Sequence, residues 1–471
     1  MNKPHRFAFS LLVALCVPTL QLHATPVELT LKSFIQRATQ TDVVFEAILA
    51  DQMAIQYRRD ALLPDSDIIL SLKHQYNFYI DQDRGNPEAS LSLSKLFPLS
   101  GTDISLSYSK SSSIITTTDE AGLQLLVSQP IAKNAFGKGT RLLDQAIGVQ
   151  NDILRHQIIE AYEDYLAGLS TIYYNWYSAY ENLRLGRASL QSSEKLLENI
   201  LARQRQKIAL PIDVNKMRLL LIGKRENLVV LQEIHDTLAN LINKSIGHPG
   251  GELIPVKPEL PVAGVNFNAD YNTFTQTSRT YRILRLLEQE GTLEVKKAAD
   301  DLLPSTNLLL GYKLEGEDWG IRDREASYFA GISISWPLGR RVDTAKYKLA
   351  QIEHKKTVLS NRNKYEELHT NLKNLYLQIQ REQKLIDIAA EKIKLAAAIL
   401  RDEAENYSFG KVSLNDYLTA VNQLDQNRFN LVEHSVRLNK LSVEWLRLTD
   451  RLVDESVLEN RKPQAPVNLP H

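Results

Sequence analysis

No proline interrupts the chain from Ile131 to Leu210, and none from Leu338 to Lys462. A helix interior tolerates proline least, because it lacks the N–H and its ring clashes with the preceding turn. Each gap therefore leaves room for a helix longer than an ordinary globular domain uses. The first predicted helix runs from about Leu142 to Gln204, roughly 95 Å at ~1.5 Å per residue. In the second gap only Gly339 and Gly410 relax the backbone. Apolar residues in both gaps follow coiled-coil steps. Tyr162, Leu166, Leu169, Tyr173, Trp176, Tyr180 and Leu183 step by four and three, and Leu424, Leu431, Leu438, Trp445 and Leu452 fall at sevens. Such a stripe reads as packing rather than as a ligand box.

The two gaps belong to two copies of one pattern. Asp60-Ala61-Leu62-Leu63-Pro64 precedes the alternating Ile68, Leu70, Leu72, and Asp300-Asp301-Leu302-Leu303-Pro304 precedes Leu308, Leu310, Tyr312. Leu123, Leu125 and Val127 lead into Ser128-Gln129-Pro130, as Ile332 and Ile334 lead into Ser335-Trp336-Pro337. The order helix, strand, strand, long helix, helix recurs, with a punctuated connector at Pro249-Gly250-Gly251 and Pro255, Pro258, Pro261. The expected organisation is a signal segment at 1–24, a first repeat at 25–248, a connector at 249–264, a second repeat at 265–452 and a flexible tail at 453–471. A prior of about 150 residues per domain gives roughly three globular units for 471 residues; the repeat replaces it with two copies of one elongated unit.

Met1 to Ala24 reads as a secretory signal: Lys3 and Arg6 precede the mostly apolar Phe7 to Leu20. Its removal takes two of the 56 basic residues, none of the 56 acidic ones, and Cys16, the only cysteine. Balanced charge argues against a nucleic-acid partner, and one cysteine excludes a disulfide framework. Later apolar runs are too short for a membrane helix, so any membrane passage must use strands. Ile104-Ser105-Leu106-Ser107-Tyr108-Ser109 and Ile332-Ser333-Ile334-Ser335 alternate strictly. That pattern fits a sandwich as well as a lipid-facing barrel. Tyr76, Phe78, Tyr79, Trp319, Tyr328, Phe329 and Trp336 near the strands favour the barrel, as an interfacial girdle.

Catalytic signals are weak. Gly137-Lys138-Gly139-Thr140 lacks the upstream glycine of a phosphate loop. Glu366-Glu367-Leu368-His369 has di-iron spacing without a second copy, and His156 with Glu160 reads as a solvated face. The chain is expected to be no enzyme, with no cofactor and no metal.

The junctions between paired helices carry the remaining signal. Glu405-Asn406-Tyr407-Ser408-Phe409-Gly410-Lys411-Val412-Ser413-Leu414-Asn415-Asp416-Tyr417-Leu418 joins two helices, with Gly410 suited to a C-cap and Ser413 or Asn415 to an N-cap. Lys207 to Val214 is its counterpart, and an offset of 203 superposes Asp213 on Asp416. Both acids are also what a helix dipole favours in a first turn.

Taken in order, the Leu-Pro strand entries, Ser128-Gln129-Pro130-Ile131, Ser335-Trp336-Pro337-Leu338 and the Tyr407-to-Leu418 junction resemble the TolC-type outer-membrane channel family over essentially the whole mature chain. The resemblance implies an α+β, predominantly helical fold: a homotrimer whose strands form one outer-membrane β-barrel, continued by a periplasmic α-helical barrel. It implies an exit duct for tripartite efflux or type I secretion, an adaptor (membrane fusion) partner, an inner-membrane transporter reached through it, and contact with outer-membrane lipid. Matched by position, Asp213, Tyr407 and Asp416 would form the periplasmic constriction, with Gly410 and Lys411 in the junction. Val412 and Thr419 depart from the family pattern. So does the first half's strand region: Pro64 to Pro130 spans 66 positions against 33 from Pro304 to Pro337. The excess holds two further alternating segments, 90–96 and 103–109, which either lengthen an external hairpin or enlarge the barrel. The rival reading is an exported periplasmic coiled-coil adaptor.

Overall fold

The computed structural model describes residues 27–78, 85–112, 119–247, 253–261, 264–317 and 321–453. The signal segment, parts of the connector and the tail beyond 453 lie outside the described residues. In chain order the elements are β1 (Val27–Leu29), α1 (Leu31–Thr41), α2 (Val43–Leu62), β2 (Ile68–Phe78), β3 (Gly85–Phe97), β4 (Thr102–Ser112) and β5 (Asp119–Pro130). A single 3-10 turn then leads into α3 (Lys138–Arg205), α4 (Pro211–Ser245), β6 (Leu253–Pro255), α5 (Phe267–Thr277) and α6 (Arg279–Asp300). The chain closes with β7 (Ser305–Glu317), β8 (Arg322–Ser335), α7 (Arg341–Ser408) and α8 (Leu414–Leu448).

The two proline-free gaps each hold one helix of 68 residues, α3 and α7, and each is followed by one of 35, α4 and α8. At ~1.5 Å per residue α7 runs about 100 Å. An offset of 203 carries Lys138 to Arg341, Arg205 to Ser408, Pro211 to Leu414 and Ser245 to Leu448. The repeat is thus in register over both helices and the turn between them.

That turn is chemically the same in both copies. Lys207 (φ 60°) and Gly410 (φ 71°) hold the left-handed residue. Ile208 N–H donates to Arg203 O and Lys411 N–H to Asn406 O, each at 2.9 Å, the long bond of a Schellman C-cap. Only glycine adopts this backbone freely, and Lys207 carries a steric cost of about 1 kcal/mol or more. Lys207→Gly is expected to stabilise the first turn by about 1 kcal/mol and Gly410→Ala to weaken the second by a similar amount, read as opposite shifts of the urea unfolding midpoint.

The chain forms two compact units, Met1–Thr41 with Asn175–Pro258, and Asp42–Tyr174 with Glu259–His471. In the first, β1 pairs in parallel with β6. The α3 segment packs on α4 across Gly186, where a Cβ would come within 2.8 Å of Leu231. Arg225 meets Glu194 at 3.0 Å along the same seam.

In the second unit, Phe267, Phe274, Leu284, Leu372, Ile379 and Trp445 form a core shared by α5, α6, α7 and α8. Tyr162, Leu169 and Tyr173 on α3 are buried here, and Trp176 is buried in the first unit, as the aromatic stripe requires. Asn361 of α7 is 3% exposed and donates to Leu284 O at 2.7 Å, satisfying an otherwise costly buried amide. Buried charge is paired. Arg279, at the start of α6, contacts Glu163 and meets Asp450 Oδ1 at 3.3 Å, while its backbone N–H donates to Asp450 Oδ2 at 2.7 Å.

Glu382 of α7, with its side chain 1% exposed, accepts from Arg381 at 2.6 Å and pairs with His434 of α8 at 2.9 Å. Burial alone would raise this carboxyl. The hydrogen bonds from Arg381 and His434 and the charge of Arg437 outweigh burial and hold it below the usual carboxylate range. A depressed native value gives stability that is present above the unfolded value near 4.3 and lost as pH falls through the native one. Glu382→Gln is therefore expected to lower the thermal midpoint at neutral pH, with the gap from wild type closing below about pH 4.

Candidate functional site

Six strands form one antiparallel sheet in the order β2-β3-β4-β5-β7-β8. Its two faces are chemically opposite. The register aligns Leu72, Leu91, Tyr108, Leu123, Leu314 and Ala326 in one row. The next row is Leu70, Leu93, Leu106, Leu125, Tyr312 and Tyr328. On the other face the corresponding row is Ser71, Ser92, Ser107, Gln124, Lys313 and Ser327. The apolar rows are exposed: Leu72 at 77%, Leu70 at 67% and Tyr328 at 84%. A contiguous apolar patch of this size marks an interaction surface. Strands of 11 to 14 residues meet the ~9–11 residues a membrane strand needs. Among the described residues no helix is long and apolar enough to cross a membrane.

The aromatics refine the expected girdle. By strand parity Tyr76 and Phe78 lie on the apolar face at the rim away from the helices, with ring centroids 4.7 Å apart. Trp336, 52% exposed, lies at the helical rim with the Arg340 guanidinium 5.3 Å from its ring. Lys95 stands on the apolar face near that rim, its ammonium 5.4 Å from the Phe97 ring, as a snorkelling lysine does. Phe329 departs from the girdle: it is on the polar face, its ring filling the space where a Cβ on Gly311 would sit. Tyr328 is mid-strand beside Tyr312. Tyr79 and Trp319 lie outside the described residues.

The second helix junction brings Tyr407, Gly410, Lys411 and Asp416 into one turn. Tyr407 stacks on Tyr417 at 5.7 Å and 29°, and burial pushes the Tyr417 hydroxyl pKa up. The Lys411 ammonium lies 5.4 Å from the Phe409 ring. Ser413 is the N-cap rather than Asn415. Asp416 accepts from Ser413 N–H at 3.2 Å and from its hydroxyl at 2.7 Å, while Ser413 Oγ accepts from Asp416 N–H at 3.3 Å. This capping box satisfies two helix-end donors. In the first junction, which belongs to the other unit, Asp213 accepts from Leu210 N–H at 3.2 Å behind Pro211. Both acids thus cap a helix, and Asp416 keeps its carboxylate at an exposed residue.

Residues 284–440, from α6 into α8, match the outer membrane efflux protein family model. No curated protein matches the chain. The fold is that of solved outer-membrane channels. VceC of Vibrio cholerae superposes with a TM-score of 0.67 at 14% identity, covering 89% of this chain and 95% of VceC. CmeC of Campylobacter jejuni gives 0.64 at 13% identity over 90% and 86%. The open state of MtrE of Neisseria gonorrhoeae gives 0.64 at 12% identity over 90% and 89%.

In this fold the weaker motifs have structural places. Gly137 to Thr140 opens α3: Thr140 N–H donates to Asn134 Oδ1 at 3.0 Å, and Asn134 N–H to Asp300 Oδ2 at 2.8 Å. A carboxylate already occupies the position where a phosphate would need donors. His369 packs edge-on to Tyr271 at 4.9 Å. Glu160 accepts from Thr280 at 2.8 Å, and burial raises its carboxyl. Among the described residues no group of His, Cys, Asp or Glu is placed to hold a metal.

Proposed function

We propose that this protein is the outer-membrane exit duct of a tripartite efflux or type I secretion system, working as a homotrimer and opened at its periplasmic tip. The observation that carries this reading is the sheet: six membrane-length strands with an exposed apolar face and a polar reverse, joined to helices of 68 residues. The apolar rows suit outer-membrane lipid and the serine rows suit a wet lumen. The task requires no reactive group, only a bounded aqueous path and a means of closing it.

The capped acids suit the closing end. Threefold symmetry places three copies of each junction around one axis, and clustered carboxylates attract cations and repel anions. The Tyr407–Tyr417 stack is a contact that opening must exchange for another. A periplasmic adaptor that binds the tip more tightly when it is open shifts the balance towards opening, and the inner-membrane transporter is reached through that adaptor.

The test is reconstitution in planar lipid bilayers. Wild-type protein is expected to give discrete ion-conducting steps, and Tyr407→Ala larger or longer ones. A protein that stays soluble without detergent and leaves the bilayer silent supports the coiled-coil adaptor instead. Equal conductance in wild type and Tyr407→Ala removes Tyr407 from the gate.

A further inference from the structure

The additional strands β3 and β4 lie in the middle of the sheet, between β2 and β5. They pair along their lengths: β2 with β3 from Ile68↔Lys95 to Phe78↔Gly85, and β4 with β5 from Asp103↔Ser128 to Ser112↔Asp119. Their side chains continue both face patterns without a break. Leu91 and Leu93 join the apolar rows, Ser92 and Ser107 the serine row. A hairpin in water needs neither pattern; a strand with lipid on one side and a wet lumen on the other needs both.

The turn between β3 and β4 is fixed at the helical end. Gln129 Nε2 donates to Ser100 O at 2.9 Å, and Thr102 Oγ1 donates to Gln129 Oε1 at 2.6 Å. Arg141, in the first turn of α3, donates to Leu99 O at 2.8 Å. Two glycines with positive φ allow the approach. A Cβ on Gly137 (φ 76°) would lie 2.1 Å from Leu99 O, and one on Gly101 (φ 71°) 2.8 Å from the Pro130 ring. The hairpin is therefore anchored where sheet passes into helix, as the other strands are.

We propose that the β3–β4 hairpin is part of the barrel wall, so that three chains close an 18-stranded barrel through β2 of one copy and β8 of the next. This rests on the trimeric duct reading. The edges are compatible: six alternating strands leave β2 and β8 antiparallel, so closure continues the ladder and removes both open edges. Two strands per repeat would give 12 in a trimer. At ~4.8 Å between strands and a tilt of about 40°, 12 strands give a backbone cylinder about 24 Å across and 18 give about 36 Å. The wider barrel has the size class that holds an open aqueous lumen, so passage is controlled at the helical end.

Single cysteines test this in full-length protein in isolated outer membranes, with Cys16→Ser as background. Leu91→Cys, Ser92→Cys, Leu93→Cys, Ser105→Cys, Leu106→Cys and Ser107→Cys are each treated with a membrane-impermeant maleimide. Trimer is scored on unheated gels, and strands are counted by electron microscopy of the purified assembly. The expected result is a trimer with 18 strands in which the serine positions react at least tenfold faster than the leucine positions. A trimer with 12 wall strands and uniform reactivity along β3 and β4 overturns the proposal and leaves the duct reading standing. Absence of a trimer overturns both.

Discussion

Arg279→Ala is expected to cost about 3–5 kcal/mol per chain, the largest effect of any single substitution considered for stability. The Arg279 side chain is 2% exposed and faces Glu163, also 2% exposed, and Asp450 at 9%. Removing the guanidinium leaves two carboxylates in low dielectric with what the backbone supplies: Val453 N–H to Glu163 at 3.1 Å and residue 279's own N–H to Asp450 at 2.7 Å. Burial already pushes the Glu163 carboxyl up, with Arg279 pulling the other way. Without that pull its native value rises further. A carboxyl raised above its unfolded value has full stability below that value and loses it as pH rises towards the native one. The variant is therefore expected to regain stability on acidification from neutral pH towards about pH 4, opposite in sign to the Glu382 pair. Urea midpoints between pH 4 and 8 check this, and a variant within about 1 kcal/mol of wild type at neutral pH refutes it. Arg279→Met with Glu163→Gln and Asp450→Asn is expected to recover most of the loss, because the cost lies in unpaired charge rather than in missing volume.

The second large effect concerns the acids at the helix junctions. Neutralising Asp213 and Asp416 together is expected to lower the cation-over-anion permeability ratio about tenfold. Each acid also accepts the N-cap residue's N–H from the first turn of its helix, worth about 0.3–1 kcal/mol, so alanine confounds charge with folding. Asn keeps an acceptor for the Ser413 N–H and the Leu210 N–H and removes only the charge. Asp213→Asn with Asp416→Asn should therefore lose selectivity while keeping its unfolding midpoint, whereas the alanine pair loses both. Reversal potentials under a salt gradient decide the point. Selectivity unchanged in the asparagine pair leaves the acids as caps alone.

Different parts of the chain declare their structure to different degrees in sequence. The helices were legible because proline excludes itself: the predicted span 142–204 falls inside α3 at Lys138–Arg205, and the 203-residue offset that matched Asp213 to Asp416 also matches both ends of both helices. The strands were legible because unlike surroundings on the two faces of a sheet force strict alternation. Their pairing was not. Alternation left the extra segments either outside the wall or within it, and only the Leu99 and Ser100 contacts to Arg141 and Gln129 place their turn. Phe329 was assigned to the girdle by composition, but its strand parity puts it opposite, over Gly311. The Arg279 cluster gave no signal, because its partner Asp450 is 171 positions away and buried pairs have no local spacing. The first turn was found at Lys207 to Val214, but its left-handed C-cap residue was not, because a lysine stands where the second repeat has a glycine.

An outer-membrane duct must be assembled from several copies of this chain. Fractionation of cells expressing the full-length protein, followed by gels run with and without heating, tests it most directly. The protein is expected in the outer membrane, with an unheated band of three chains that collapses to one on boiling. Recovery in the soluble periplasmic fraction, at single-chain mobility whether heated or not, would contradict it.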